Sequence, residues 1–249
     1  MAKKPRTPPP PRKVQAPKQR HDPKSRDPER QKKFLYIFAG AGVVGLIVAL
    51  VIVLAGGKKT NDASKSSDKT VAAAMRAAGC TFVSKPPLPP THKGKTFHED
   101  SPTDTTKVKW STFPPSAGGH YGAWAIWAFY RDPVSPNRVV HNEEHGGVIL
   151  WWGPQVASAT VDKLSSFYDE SPEGMVGTPI AGLGNKVAIS AWTGDPSKYY
   201  SKGYYGVGHL AVCPGFNEKA FTTFRDAYRG HGPEGVPLSS DQPGTGPGA

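Results

Sequence analysis

Sulfur is scarce in this chain. Three methionines in 249 residues argue against a thioether-rich copper(I) carrier. The apolar run that ends in Leu54-Ala55-Gly56-Gly57 has no cysteine behind it, which disfavours a lipid anchor. Catalytic fingerprints are sparse too. No serine sits in a G-x-S-x-G elbow, and Ser116 lies in a Gly-rich turn, where a hydroxyl usually caps the turn. AGLGNK at 181–186 lacks the spacing and context of a phosphate or dinucleotide loop. No internal repeat is visible, which argues against a solenoid or propeller.

Acidic residues are in the minority, 20 against 31 Lys+Arg, for a formal net charge of +11. The excess is local. Residues 1–33 hold 12 of the basic residues and three acids, leaving 19 and 17 for everything after. The basic character belongs to a tail, so no nucleic-acid partner is expected. That tail, 1–33, is rich in Pro, Lys and Arg and has almost nothing apolar to bury. It reads as a disordered leader, with local polyproline II at the four prolines 8–11.

Residues 34–56 read as a transmembrane helix. Phe34 to Ala55 is 22 residues without a charge. As a helix that spans roughly 33 Å, against a hydrocarbon core of about 30 Å. A cleaved leader is the rival reading, with Val53-Leu54-Ala55 as the cleavage site. Its apolar part would ordinarily be about 7–15 residues behind a shorter basic stretch. The positive-inside bias puts the N-terminus in the cytoplasm and everything after the span outside. Cys80 and Cys213 fit that placement: two cysteines in an oxidising compartment favour a disulfide over a pair of buried thiols.

Beyond the span, residues 57–69 read as a polar linker and 70–80 as a short helix ending near Gly79. The Pro-rich stretch 85–106 and PPSAGGH at 114–120 read as loops, and Val108–Trp110 as the start of a strand. Strands are expected at 147–152, 186–193 and 206–213. Helices are expected over VASATVDKLSSFYDES and over 217–230, the second capped by Asn217 and stopped by Gly230. The sum is an α+β domain over 70–235, with a small mixed sheet, a few helices and long loops, followed by a disordered end at 236–249.

Four pieces in order carry a resemblance: PPSAGGHY, VVHNEEHGGVILWW, VAISAWT and YRGHGPE. Behind a single apolar span they resemble the bacterial DUF3105 family of unknown function, over about residues 78–235. The HNEEHGG core is the specific part. SAGGH stands where the family usually has SGPH. The resemblance implies placement and domain extent, and no activity.

The chemistry therefore rests on side chains. His141 and His145 are four apart, yet an H-E-x-x-H site would need Glu at 142, where Asn stands. The glycines at 146 and 147 and the apolar flanks argue against a helix. On a strand the pair would share a face about 13 Å apart, too far for one ion. A loop that folds them together, with His120 as third imidazole, would suit zinc or copper(II). Glu144 is then a further ligand or the general base of a hydrolytic reaction. The competing reading gives these histidines to carbonyls that lock a turn, with Glu143 or Glu144 paired to Arg138. His209 reads as a core residue and His92 and His98 as solvated; Glu234 could reach the cleft, yet a helix-ending turn explains it. The six tryptophans support a second class of function, a non-catalytic envelope module that holds a cell-wall polymer or a partner protein on exposed aromatics.

Overall fold

The computed structural model describes residues 60–90, 96–99 and 108–247. Residues 1–59, and with them the basic leader and the apolar span, lie outside the described residues. Among those described, no helix is long and apolar enough to cross a membrane.

Among the described residues, four α-helices and seven strands follow in chain order. They are α1 (Thr60–Ala77), β1 (Thr81–Lys85), β2 (His98–Glu99), β3 (His120–Tyr121) and α2 (Pro136–Glu144). Then come β4 (Val148–Trp152), α3 (Ser158–Glu170), β5 (Met175–Pro179), β6 (Val187–Thr193), β7 (Val207–Cys213) and α4 (Glu218–Tyr228). Five strands form one sheet in the order β1-β7-β6-β4-β5, antiparallel except for the parallel β4–β5 edge. The parallel strands β4 and β5 need a crossover connection, and α3 supplies it. The architecture is α+β with a mixed sheet, as the alternation of elements predicts.

Why β4 reads as an unbroken apolar run is now clear: both faces of the sheet are covered, so every residue of the strand is buried. Val148, Leu150 and Trp152 pack on one side against α1, α3 and α4 through Met75, Leu164, Phe167, Phe221 and Phe224. Ile149 and Trp151 face the other side, against Trp127, Val139 of α2 and Val176. Each such side chain contributes about 1.5–3 kcal/mol by leaving water. Asn217 caps α4 as its sequence suggests, its side chain accepting from Ala220 N at 3.0 Å.

Several elements depart from expectation. The helix before Cys80 begins at Thr60, so residues 60–69, read as linker, are its first turns. Thr, Asn, Asp and Ser dominate there, which are poor helix formers with no apolar signal; the last turns carry it, through Val71 and Met75. Strands β1 and β5 were not foreseen. β1 is an edge strand with mostly exposed residues, and β5 carries a Gly and ends at a Pro. Val108–Trp110 is not a strand. The stretch 236–247 is ordered around a short 3-10 turn, Leu238–Ser240. It is held down by Gly174 N donating to Asp241 O at 2.8 Å, Gly244 N to Trp127 O at 2.8 Å and Trp127 N to Thr245 O at 3.0 Å.

Cys80 and Cys213 form a disulfide, with Cα atoms 4.1 Å apart, where α1 gives way to β1 beside the end of β7. His209 on β7 is a buried core residue: Ser84 Oγ meets its Nδ1 at 2.9 Å and Thr193 Oγ1 its Nε2 at 2.8 Å. Burial pulls its pKa down to about 4.

The bridge spans 133 positions in sequence, so in the chain-entropy model it stabilises the fold by roughly 5 kcal/mol. Urea unfolding with and without reductant should show the midpoint fall on reduction, and Cys80→Ser with Cys213→Ser should reproduce it. An unmoved midpoint would contradict the loop-closure account.

Candidate metal centre

Helix α2 is the element that sequence periodicity hid. Pro136 stands in its first turn, where a missing N–H costs nothing. The helix closes at His145, still in helical conformation at φ −68°, with Gly146 N donating to Glu143 O at 2.9 Å. Gly146 at φ +105° turns the chain out of the helix, and a Cβ there would sit 2.8 Å from Gly232 N. A Cβ on Gly147 would sit 2.6 Å from Asn142 O and 2.8 Å from the Trp127 ring. The two glycines after His145 are thus a helix stop and a close backbone crossing, not evidence of a strand.

At 3.6 residues per turn, His141, Glu144 and His145 fall on one face of α2, and Val139 with Glu143 on the other. The second face meets the sheet. There Trp151 Nε1 donates to Ser190 Oγ at 2.7 Å and Ser190 Oγ donates to Glu143 Oε1 at 2.5 Å. Asn142 clamps Ala125, accepting from its N–H at 3.0 Å and donating to its carbonyl at 2.9 Å. The helix is therefore fixed in rotation.

The first face meets two more histidines. β2 and β3 pair in parallel with His98 directly opposite His120. His120 Nε2 lies 2.9 Å and His98 Nε2 3.3 Å from Glu144 Oε2. Donor atoms of His98, His120, His141 and Glu144 all lie within 4.8 Å of one another. His120 and Glu144 are fully buried, and His141 is nearly so.

Ring orientation is set from behind. His120 Nδ1 donates to Gly118 O at 2.8 Å and His141 Nδ1 donates to Tyr121 O at 2.7 Å. With Nδ1 committed to a carbonyl, each ring turns its Nε2 inward. His120 Nε2 is buried without a hydrogen-bond partner; its approach to Glu144 has ion-pair distance but not hydrogen-bond alignment. His141 Nε2 instead faces His145 Nε2 at 3.1 Å. Tyr199 O–H donates to Glu144 Oε1, and Tyr200 O–H reaches the same oxygen at 3.4 Å. Trp124 lies against His141 and His145, with ring centroids at 5.3 and 4.8 Å.

Over residues 102–240 the chain matches the family described as Protein of unknown function (DUF3105). The chain belongs to the DUF3105 family. The matched stretch contains His120, His141, Glu144, His145 and Glu234, and begins after His98. No curated protein and no solved structure matches the chain.

In this DUF3105 chain the expected trio of His120, His141 and His145 is split. His120 and His141 converge with Glu144, but the third ring is His98, expected in solvent and in fact 42% exposed at its side chain. His145 stands on the far side of His141, in a second group with Glu234. Neither glutamate pairs with Arg138. Glu143 bonds Ser190, and the ion-pair partners of Glu144 among the described residues are His98 and His120. Ser116 is fully buried, its hydroxyl within 2.9 Å of Thr112 Oγ1, which is a structural role. Tyr199 and Tyr200 had no signal beyond their aromatic character. None of the six tryptophans is exposed. Four are core, Trp124 lines the histidines, and Trp110 donates to Gly119 O at 2.9 Å.

The electrostatics sort these groups. Burial lowers His141 to about 3, helped by the like charge of His120, so its ring stays neutral. Burial alone would raise Glu144, but contacts from His120, His98 and Tyr199 outweigh it and hold the carboxylate ionised. Hydrogen bonding to Glu144 raises His98. Glu143 is the opposite case: burial lifts it well above the usual carboxylate range, and the Ser190 bond offsets only part of that.

Two adjacent glutamates should thus respond differently to neutralisation. A proton that Glu143 keeps when folded is lost from the unfolded chain above its ordinary pKa, so its burial destabilises the fold increasingly as pH rises from there. Glu143→Gln removes that penalty, and at pH 7 it should hold stability within about 1 kcal/mol of the parent or raise it. Thermal melts across pH 5–8 check this. A loss of several kcal/mol at pH 7 would mean that Glu143 is buried as an anion.

Proposed function

We propose that this protein is anchored by residues 34–56 with its folded part outside the cytoplasm, and that the folded part binds one zinc or copper(II) ion through His98, His120, His141 and Glu144. The observation that carries the reading is the inward set of donors. Two of the imidazoles have Nδ1 tied to a carbonyl, His98 and His120 present Nε2 to one buried carboxylate, and a donor nitrogen of His141 lies within 4.8 Å of that set. Nitrogen and oxygen donors with no sulfur suit zinc and copper(II). Met75 and Met175 lie in the core on the opposite side of the sheet. Ligands at about 2.0–2.1 Å from one ion stand about 3.4 Å apart in a tetrahedron and at most about 4.2 Å apart when trans, so donors within 4.8 Å need to close by roughly 0.6–1.4 Å.

Proton and metal compete for the same lone pairs. Without metal, His98 holds a proton above the ordinary histidine pKa, because Glu144 stabilises its charged form. An ion must displace that proton, so binding strengthens as pH rises and weakens as it falls. Glu144 supplies negative charge to the ion, and Tyr199 with Tyr200 orients the carboxylate. Trp192, Phe97 and Tyr205 wall off the pocket behind them. A hydrolytic role, with Glu144 as the base, is less favoured: every side of that carboxylate is occupied.

The anchor is supported by 22 uncharged residues behind a leader with 12 basic ones. The Cys80–Cys213 disulfide supports an oxidising compartment.

Full-length protein stripped of metal and dialysed against zinc or copper(II) should hold about one ion per chain, and His141→Ala or Glu144→Gln should weaken binding by at least about tenfold. Elemental analysis reads the stoichiometry and circular dichroism confirms the fold of each variant. Binding that survives both substitutions would refute the centre. Protease added to intact cells should remove residues 60–249. Their persistence would refute the topology.

A further inference from the structure

We propose that His145 and Glu234 form a loading port for the metal centre, a half-exposed outer position from which an ion passes inward through His141. The inference rests on the inner cluster being a metal centre. Among the described residues, His141 belongs to two groups of converging donors: His98, His120 and Glu144 on one side, His145 and Glu234 on the other. Its Nδ1 is committed to Tyr121 O, so the ring has a single lone pair, at Nε2, to give. Two ions cannot hold that lone pair at once. One ion can exchange sides of it.

The separations suit such a transfer. His141 Nε2 and His145 Nε2 are 3.1 Å apart, a spacing that two imidazoles adopt on one shared ion. Glu234 Oε2 is 3.6 Å from His145 Nε2. Exposure falls along the path, from 33% at the Glu234 side chain to 10% at His145 and none at His120 and Glu144. A hydrated dication that entered past His98 would meet an imidazole but no exposed carboxylate to replace its waters. A partly exposed carboxylate followed by an imidazole replaces them in steps.

His145 is aimed for this. Asp241 Oδ1 is 3.6 Å from its Nδ1, leaving Nε2 toward His141. Asp241 is 1% exposed, and among the described residues its Oδ2 has no hydrogen-bond partner, so the ring is the group its carboxylate faces. The turn that carries it, Leu238–Ser240, is ordered where the sequence has little to order it. Glu234 N meets Glu144 O at 3.4 Å, which fixes the outer carboxylate to the helix that bears the inner one. His98 opens the pocket on another side, but it brings a ring and no outer carboxylate to attract a cation.

Trp124, in contact with both His141 and His145, provides the reporter. Metal-free full-length protein is mixed in a stopped-flow instrument with glycine-buffered copper(II), and quenching of tryptophan fluorescence is followed. Two phases are expected: one proportional to copper concentration, as the port fills, and one independent of it, as the ion moves inward. Glu234→Gln should slow the first phase about tenfold, because it removes the charge that attracts the cation to the cleft. It should also abolish the slowing of that phase by added salt, while leaving stoichiometry and final affinity unchanged. His98→Gln should weaken final affinity and leave the first phase alone. A single phase untouched by Glu234→Gln overturns the port while the centre stands. Equal loss of final affinity in Glu234→Gln and Glu144→Gln also overturns it, because Glu234 would then be a ligand of the inner ion. A parent protein that binds neither copper(II) nor zinc overturns the centre and the port together.

Discussion

A carboxylate with none of its surface in water governs this structure. Glu144 is completely buried, and among the described residues its ion-pair partners are imidazoles. An isolated buried anion is far too costly to persist, so positive charge must reach it as a proton or as a metal ion. Everything around Glu144 limits the choice. Carbonyls of Gly118 and Tyr121 occupy the outer nitrogens of His120 and His141, two tyrosines occupy the other carboxylate oxygen, and burial keeps His141 neutral. What remains is a set of lone pairs directed at a common point.

The fold makes that point rigid. α2 is locked in rotation by Asn142 on the Ala125 backbone, by Glu143 on Ser190 of β6, and by Val139 in the core. Its site-bearing face then follows from helical geometry. The pairing of β2 with β3 sets His98 beside His120 without any further device. Metal centres are precise when their ligands stand on elements that are themselves over-determined. Here one carboxylate of α2 fixes the helix against the sheet with its pKa raised by burial, while its neighbour faces the donors as an anion. Burial acts on both; the partners decide the charge.

How far all this could be read from sequence differs by element. Buried strands such as Val148–Trp152 and Val187–Thr193 announced themselves, because both faces of the sheet are apolar. α2 did not. Its signal was Pro136 followed by the i, i+3, i+4 set of His141, Glu144 and His145, but the following glycines and the apolar β4 suggested extended chain. Polar residues rarely mark a buried helix face, so periodicity of hydrophobicity missed a periodicity of ligands. His98 has no local mark: it is one histidine in a polar stretch, and only β pairing shows its partner. Asp241 lies beyond the last apolar segment, in a Gly- and Pro-rich end where order arises from backbone contacts with Gly174 and Trp127. The disulfide was legible from the even cysteine count and the compartment that the apolar span implies, and the folded ends of α1 and β7 supply the proximity.

Anomalous diffraction from crystals grown with zinc or copper(II), recorded on both sides of the metal edge, tests the central claim most directly. The account predicts one peak per chain, bounded by the Nε2 atoms of His98, His120 and His141 and by a Glu144 oxygen, with no sulfur in contact. Density without a peak there, and with Glu144 hydrogen-bonded to a protonated His120, would show that a proton and not a metal neutralises the buried carboxylate.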